Sequence, residues 1–176
     1  MKTLETNRLI LRDFCLTDLA DFNEYAVMPE VGLNAGWKPH ESLEESLFYL
    51  GKFVSEQNVW AIYHKVDKKV IGSVGLHTES YPEYISLGYV LSKNYWGQGL
   101  TVEAVRTVLG YAFFDLNLPI LGVSHYTHNH RSKRVIEKLG FAYEGTLRKY
   151  RKIFNGDIYD LSHYSMTREE FLTLKC

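Results

Sequence analysis

The chain is poor in cysteine: it has two among 176 residues, Cys15 and Cys176, which lie near opposite ends. They match no disulfide framework and no metal-ligand spacing, so we expect a reducing compartment. The sequence also lacks an Asn-x-Ser/Thr glycosylation motif, and no run approaches the roughly 18 apolar residues of a membrane-spanning helix. Residues 1–8 lack the apolar stretch of a secretory signal. These absences predict a soluble, cytoplasmic protein with no membrane partner.

Net charge is nearly absent as well. The 20 Lys+Arg balance 21 Asp+Glu, for a formal net charge of −1 at pH 7. This balance argues against broad electrostatic binding of nucleic acid, although it leaves room for a local basic site. Hydrophobic residues make up 45% and charged residues 23%, the composition of an ordinary globular protein, which excludes long disordered segments.

The chain shows no internal repeat, low-complexity tract or Pro/Gly/Ser linker. Its length and the lack of a linker predict a single domain over residues 1–176. A chain of this size buries about 70% of the surface that it exposes when unfolded, so we expect it to fold without a disulfide or a metal.

The spacing of the apolar residues predicts a mixed α/β fold. The expected strands cover residues 8–14, 59–64, 70–77, 85–91, 121–126, 142–154 and 158–168. The expected helices begin at Thr17 and Ser42 and cover 99–116 and 131–139, with a loop at 31–40. Turns at 67–69 and at 155–156 predict antiparallel hairpins, and the strand–helix–strand order over 85–126 predicts one parallel crossover. We therefore expect a twisted, largely antiparallel sheet flanked by helices.

Two helix starts carry capping residues. Thr17 is the expected N-cap of the first helix, and Ser42 with Glu45 predicts a capping box for the second. The second helix is expected to bury an apolar stripe at helical spacing, formed by Leu43, Leu47, Leu50 and Val54.

A glycine-rich segment separates a predicted strand from the longest predicted helix. Its residues are Trp96, Gly97, Gln98, Gly99, Leu100 and Thr101. Two glycines let the backbone approach a ligand, and the unpaired N–H groups and dipole of the helix start attract an anion. The segment is therefore a candidate cradle for a pyrophosphate. The alternative is a turn that only reverses the chain.

Two other nucleotide-binding motifs do not fit this segment. No Lys-Ser/Thr pair follows the glycines at P-loop spacing, which argues against ATP or GTP. The third glycine of a dinucleotide-binding fingerprint would fall on Val102, whose β-branched side chain is a poor fit there.

The segment resembles the acyl-CoA-binding signature of the GNAT superfamily of N-acetyltransferases, Gln/Arg-x-x-Gly-x-Gly/Ala. Trp96 stands at the first position, as it often does in the RimJ/RimL-like branch of ribosomal-protein N-terminal acetyltransferases and their relatives. Gly99 matches the central glycine, and Thr101 departs from the usual Gly/Ala. Other stretches similar to the family follow in order at residues 6–12, 88–89, 129–132, 137–141 and 144–148. The resemblance implies a GNAT-like domain that uses acetyl-CoA as cosubstrate.

The same resemblance implies roles for individual residues. The acetyl-CoA contacts would be Tyr89, Val90 and Leu91 on the strand and the six residues 96–101 of the turn. Asn129 would contact the pantetheine arm, and Ser132 would lie near the thiolate as the candidate general acid. From the residues alone, the strand positions are also explained as buried core, Asn129 as a helix N-cap, and Ser132 as a polar residue bonded to its own helix.

Three other groups of residues have a structural explanation as well as a functional one. His125, His128 and His130 invite a metal site, but strand alternation would separate them and no acidic or cysteine ligand is adjacent, so we expect no metal. Trp37 and His40 lie in the region that forms one side of the acceptor groove in related enzymes, and an anchoring role in the core explains them equally well. The basic run at 148–152 offers a contact for RNA or an acidic partner, but a charged exposed strand edge is favoured.

The sequence thus predicts an acetyl-CoA-dependent N-acetyltransferase in which a primary amine attacks the thioester directly. No cysteine lies near the expected site, which argues against an acyl-cysteine intermediate. The acceptor is left open between a protein N-terminal amine and a small-molecule amine, and a non-catalytic acyl-CoA-binding module is the alternative from another class. Oligomeric state is also left open, a homodimer included.

The general base is missing from its usual place. Many relatives carry Glu two residues before the Gly-Tyr pair of the cofactor strand, and this chain has Ser86 there. His77, His125 and Glu83 are alternative bases. We predict instead that water relays the proton and that the pKa of the amine itself dominates the pH dependence.

Overall fold

The computed structural model describes residues 1–78 and 85–174; Glu83 and Cys176 lie outside the described residues. The strands are β1 (Leu4–Glu5), β2 (Leu9–Asp13), β3 (Val59–His64), β4 (Lys69–Thr78), β5 (Ile85–Leu91), β6 (Ile120–Tyr126), β7 (Ala142–Lys152) and β8 (Ile158–Thr167). The helices are α1 (Leu19–Ala26), α2 (Pro29–Ala35), α3 (Leu43–Glu56), α4 (Leu100–Gly110), α5 (His130–Leu139) and α6 (Arg168–Thr173). A π-helical turn over Tyr111–Asp115 extends α4.

The strands form one sheet in the order β1-β2-β3-β4-β5-β6-β8-β7. The pairs β1–β2, β2–β3, β3–β4, β6–β8 and β7–β8 are antiparallel. By contrast, β5 and β6 pair in parallel, through Ser86 with Gly122 and Leu87 with Val123. The predicted mixed sheet and its parallel crossover are confirmed. β7 ends the strand order, and residues 148–152 along it are exposed, as a charged strand edge requires.

The chain divides into two compact units, of which the first comprises Met1–Gly75 and Tyr89–Thr107. Its core is rich in aromatic rings from α1 and α3. The ring of Phe22 meets those of Tyr25 and Phe53 edge-on, with centroids 5.3 and 5.8 Å apart. An edge-to-face pair of rings stabilises the fold by about 0.5–1.5 kcal/mol, in addition to the effect of burying its apolar surface. This packing fixes α1 and α3 against one another.

The second unit comprises Leu76–Gly88 and Val108–Cys176. Its central pair is β6 against β8, in register from Ile120–Thr167 to Tyr126–Leu161. The rings of Phe113 and Phe171 lie 5.0 Å apart in its core. α5 buries Ile136 and Leu139, whereas Arg131, Lys133, Arg134 and Lys138 are exposed. The helix thus has a buried apolar face and an exposed basic face.

The loop predicted at residues 31–40 is wrong over its first half, where α2 runs from Pro29 to Ala35. Proline at the first helical turn and Gly36 at the C-cap, with φ of 82°, are the usual boundaries of a helix. Gly32 lies within α2 and has a packing reason to be glycine. A Cβ at Gly32 would lie 2.9 Å from atoms of the Trp37 ring.

The N-cap predicted at Thr17 is also wrong. Thr17 lies inside a 3-10 turn, Leu16–Asp18, that begins after Cys15. Ser42 is confirmed as an N-cap, because its side chain accepts a hydrogen bond from the Glu45 backbone N–H at 3.1 Å. The Glu45 carboxylate accepts instead from the backbone N–H of Glu41, at 2.8 Å.

The buried face of α3 differs from the predicted stripe. Leu43 and Leu47 are 50% and 43% exposed, while Leu50 and the polar Ser46 are buried. Ser46 sits inward because its hydroxyl donates to Asn23 Oδ1 at 2.9 Å. A pattern of apolar residues alone misses such a polar partner. β1 and α6 were not predicted either; α6 begins with a capping box of Thr167 and Glu170.

Candidate active site

The glycine turn before α4 adopts a backbone that requires its glycines. Gly97 and Gly99 have φ of 78° and 76°, in the left-handed region that other residues rarely enter. Among the described residues, and leaving aside each glycine's neighbours in the chain, no heavy atom lies within 4 Å of a Cβ built on Gly97, and only the Arg8 guanidinium, at 3.8 Å, lies that close to one on Gly99. The backbone of the turn is therefore accessible at the start of α4, where N–H groups are unpaired. This geometry fits the approach of an anion such as a pyrophosphate.

The turn is fixed to the end of β5. The Trp96 indole Nε1 donates to the Leu91 carbonyl at 2.8 Å, and its backbone N–H donates to the Lys93 carbonyl at 3.1 Å. Leu100, the first residue of α4, is 1% exposed. Trp96 and Leu100 thus anchor both sides of the glycines while Gly97, Gln98 and Gly99 stay exposed.

Tyr95, which precedes the turn, is bonded to a carboxylate. Its hydroxyl donates to Asp67 Oδ2 at 2.5 Å. Burial, and then the Asp67 carboxylate, raise the pKa of Tyr95 to about 12. The hydrogen bond from Tyr95 in turn lowers the pKa of Asp67. Tyr95 therefore stays neutral and serves as a fixed donor rather than as a proton-transfer group.

The strand segment that leads into the turn is closely packed against β4. A Cβ on Gly72 would lie 2.2 Å from the Val90 carbonyl oxygen, so only glycine fits there. The Ser92 N–H donates to the Ile71 carbonyl at 2.8 Å. Tyr89 and Val90 are partly exposed and Leu91 is buried, so the strand-core explanation holds for Leu91.

A polar cluster beside the turn was not predicted from the sequence. The Glu103 carboxylate in the first turns of α4 accepts from Thr6 Oγ1 at 2.6 Å and from the Arg8 N–H and Nε at 3.0 and 2.7 Å. Arg8 Nη1 donates to the Gln98 carbonyl of the turn at 2.9 Å. Burial raises the pKa of Glu103, but the hydrogen bonds from Thr6 and Arg8 outweigh it and lower that pKa overall. The only available signal was the similarity of residues 6–12 to the family.

In the second unit, Asn129 is the N-cap of α5. Its Oδ1 accepts from the Ser132 backbone N–H at 3.0 Å. Both side chains are partly exposed. The capping explanation for Asn129 is confirmed. The cap uses the backbone N–H of Ser132 and not its hydroxyl.

The histidine considered as a base on β6 is buried. His125 is 4% exposed; its Nδ1–H donates to the Tyr126 carbonyl at 2.8 Å, and its Nε2 lies 3.4 Å from the Tyr164 hydroxyl. Burial lowers the pKa of His125. The neutral ring is thus held by protein groups at both nitrogens, which explains it as a core residue.

The histidine at the end of β4 lies beside the position of the missing carboxylate. The Ser86 hydroxyl is 3.5 Å from the His77 carbonyl oxygen. A Cβ on Gly88 would lie 3.0 Å from His77 Nε2. The imidazole therefore packs against the backbone of β5, two residues from Ser86.

His40 belongs to a buried network of the first unit. Its Nδ1 lies 2.8 Å from Ser46 Oγ, and because the single hydroxyl proton of Ser46 goes to Asn23, His40 donates. The ring stacks on Tyr49 at 5.0 Å, and burial lowers the pKa of His40. The anchoring explanation holds for His40. The Nε1 of Trp37 is buried and has no hydrogen-bond partner among the described residues.

Neither a metal-binding group nor a membrane-spanning helix is present among the described residues. Within residues 1–78 and 85–174, no three His, Cys, Asp or Glu side chains are grouped so as to hold a metal ion. No helix in the same ranges is both long and apolar enough to cross a membrane.

Comparison with known proteins identifies the family. Residues 8–142 match the model of the acetyltransferase (GNAT) domain. The chain is 30% identical over 171 residues to the uncharacterized N-acetyltransferase YoaA of Bacillus subtilis (strain 168), covering 94% of this chain and 96% of that protein. The chain therefore belongs to the GNAT family and is an N-acetyltransferase with acetyl-CoA as cosubstrate.

Solved structures show the same fold. A GNAT-family acetyltransferase from Bacillus anthracis superposes with a TM-score of 0.87 at 22% identity, covering 96% of this chain and all (100%) of that one. RimL, a ribosomal L7/L12 alpha-N-protein acetyltransferase in complex with coenzyme A, superposes with a TM-score of 0.80 at 15% identity, covering 96% of this chain and 99% of that one. Both similarities lie below 25% identity and show a shared fold.

Proposed function

We propose that this enzyme transfers the acetyl group directly to a protein N-terminal amine and binds the acetyl-CoA pyrophosphate at the turn 96–101. The observation that carries the proposal is the pair of left-handed, side-chain-free glycines, Gly97 and Gly99, at the start of α4. A strong anion site needs such accessible backbone N–H groups. The fold shared with RimL supports a protein amine as the acceptor.

In the proposed reaction the neutral amine attacks the thioester carbonyl, the carbon–sulfur bond breaks, and the CoA thiolate takes up a proton. Backbone groups of Tyr89, Val90 and Leu91 would align the pantetheine arm, as an added strand is aligned. Ser132 would supply the proton to the thiolate, with Asn129 holding the helix end that carries it. Cys15 is exposed in a loop, where its thiol donates a hydrogen bond to Asp18 at 3.2 Å. An acyl-cysteine route therefore has no support.

An α-amine suits a site in which serine stands at the position of the usual carboxylate base. Its reference pKa of about 7.7–8.0 lies well below the value of about 10.4 for lysine, so a larger share is already neutral near pH 7. With Ser86 in place of the usual Glu, an amine that loses its proton readily is the better acceptor.

The test is a screen of acceptors with acetyl-CoA, read by thiol release and by mass. Peptides with a free N-terminus are compared with the same peptides carrying a blocked N-terminus and an internal lysine, and with small polyamines and amino sugars. We expect acetylation of free α-amines alone. Acetylation confined to the small amines would overturn the proposed acceptor and leave the acetyltransferase activity standing.

A further inference from the structure

The segment before β2 is tied to the glycine turn by one side chain. Arg8 Nη1 donates to the Gln98 carbonyl at 2.9 Å, and its Nε donates to the Glu103 carboxylate at 2.7 Å. Gln98 stands between the two glycines of the turn, and Glu103 donates its own backbone N–H to the Gly99 carbonyl at 3.1 Å. One guanidinium thus contacts the turn and the helix that follows it.

The charge of Glu103 poses a problem for an anion site. A carboxylate in the first turns of α4 opposes the binding of a second anion at the same helix start. Arg8 Nη2 lies 2.6 Å from Glu103 Oε2, with the two side chains 44% and 20% exposed. The bidentate pair neutralises this carboxylate and leaves the field of the helix start available to a ligand.

We propose that Arg8 is a positioning residue for acetyl-CoA: it fixes the Gln98 carbonyl, and hence the direction of the N–H groups of the turn, and it cancels the charge of Glu103. This inference rests on the proposed binding of the pyrophosphate at the turn. Arg8 acts through the Gln98 carbonyl and the Glu103 carboxylate, so its effect falls on cofactor affinity rather than on the chemical step.

The test compares Arg8→Met with Arg12→Met. Arg12 is the matched control, because it also forms a bidentate pair, with Asp18 at 2.7 and 2.8 Å, in the same unit. For Arg8→Met we expect the Kd of CoA, by titration calorimetry, and the KM of acetyl-CoA to rise about tenfold or more at nearly unchanged kcat, as the loss of a charged hydrogen-bond partner predicts. For Arg12→Met we expect a lower Tm with both constants unchanged.

Two further variants separate the parts of the proposal. Arg8→Lys keeps the charge but not the fork of donors, so its Kd should lie between those of wild type and Arg8→Met. The variant that combines Arg8→Met with Glu103→Gln also removes the negative charge that Arg8 neutralises, so it should recover part of the loss. Equal Kd values for wild type and Arg8→Met, or equal increases for Arg8→Met and Arg12→Met, would overturn the proposal.

The proposed position of the pyrophosphate is tested separately by Gly99→Val. If Gly99→Val binds CoA as wild type does, the turn is not the anion site. If Gly99→Val loses CoA while Arg8→Met retains it, the anion site stands and only the role of Arg8 fails.

Discussion

The indole N–H of Trp96 donates to the carbonyl of Leu91 over 2.8 Å, and this bond joins the end of β5 to the start of the glycine turn. The four residues between Leu91 and Trp96 include a 3-10 turn, Lys93–Tyr95, so the bond closes a compact loop. The position of the glycines thus depends on a side chain that itself need not touch the ligand.

Replacing Trp96 with phenylalanine keeps an aromatic ring but removes this bond. A neutral hydrogen bond contributes about 0.5–1.5 kcal/mol, so the KM of acetyl-CoA should rise about two- to tenfold. Trp60→Phe is the control, because the Trp60 indole also donates to a carbonyl, that of Lys2, at 2.9 Å. Steady-state kinetics in which both variants behave alike would remove Trp96 from the positioning of the turn.

The glycine requirement itself can be separated from backbone strain. Gly99→Val places a side chain over the exposed turn and forces a β-branched residue to φ near 76°, so CoA binding should be lost. Gly156→Val imposes similar strain at φ of 94° in the hairpin between β7 and β8, where a Cβ would meet no atom within 4 Å from the described part of the chain beyond its sequence neighbours. We expect Gly156→Val to bind CoA normally in calorimetry. A folded Gly99→Val that binds CoA like wild type would contradict the cradle.

Features decided by neighbours in sequence were predictable. The glycines of the turn, the caps at Ser42 and Asn129 and the inward face of α5 depend on residues within a few positions of one another. The Arg8–Glu103 pair, 95 residues apart in sequence, was not predictable, because only the fold brings the two together. The same reason applies to the buried Ser46, whose partner Asn23 lies on another helix.

Ser132→Ala tests the candidate general acid. The cap of α5 uses the Ser132 backbone N–H, so the substitution leaves that bond intact. If the hydroxyl protonates the leaving thiolate, kcat should fall on the order of 10²–10⁴-fold with little change in acetyl-CoA affinity. Ser55→Ala, which removes an exposed hydroxyl bonded to the Lys52 carbonyl, serves as the control. Wild-type turnover in Ser132→Ala would leave this residue with a structural role only.

Stability should decline in mild acid because of buried histidines. Burial lowers the pKa of His40 and of His125 in the folded protein. The unfolded chain therefore binds more protons once the pH falls below the unfolded value of about 6.5, and the free energy of unfolding decreases from there downward. We expect the Tm to drop between pH 7 and pH 5. His40→Asn, which keeps a donor for Ser46, should reduce the slope, and the exposed His130→Asn should not; equal slopes would exclude His40 as a source.

The last prediction concerns proton transfer from the attacking amine. With serine at position 86 and His125 bonded at both ring nitrogens, we expect no essential protein base. The kcat/KM should then rise with pH along the titration of the acceptor amine, near its reference pKa of about 7.7–8.0 for an α-amine.

The measurement is the pH profile of kcat/KM for wild type, His77→Ala, His125→Ala and Glu83→Gln with one peptide acceptor. We expect four profiles of the same shape, since water carries the proton in each. His77 is the most informative variant, because its ring packs against Gly88 and its carbonyl lies 3.5 Å from the Ser86 hydroxyl. A wild-type limb near about pH 6–7 that disappears in His77→Ala would identify this histidine as the base in place of the missing carboxylate.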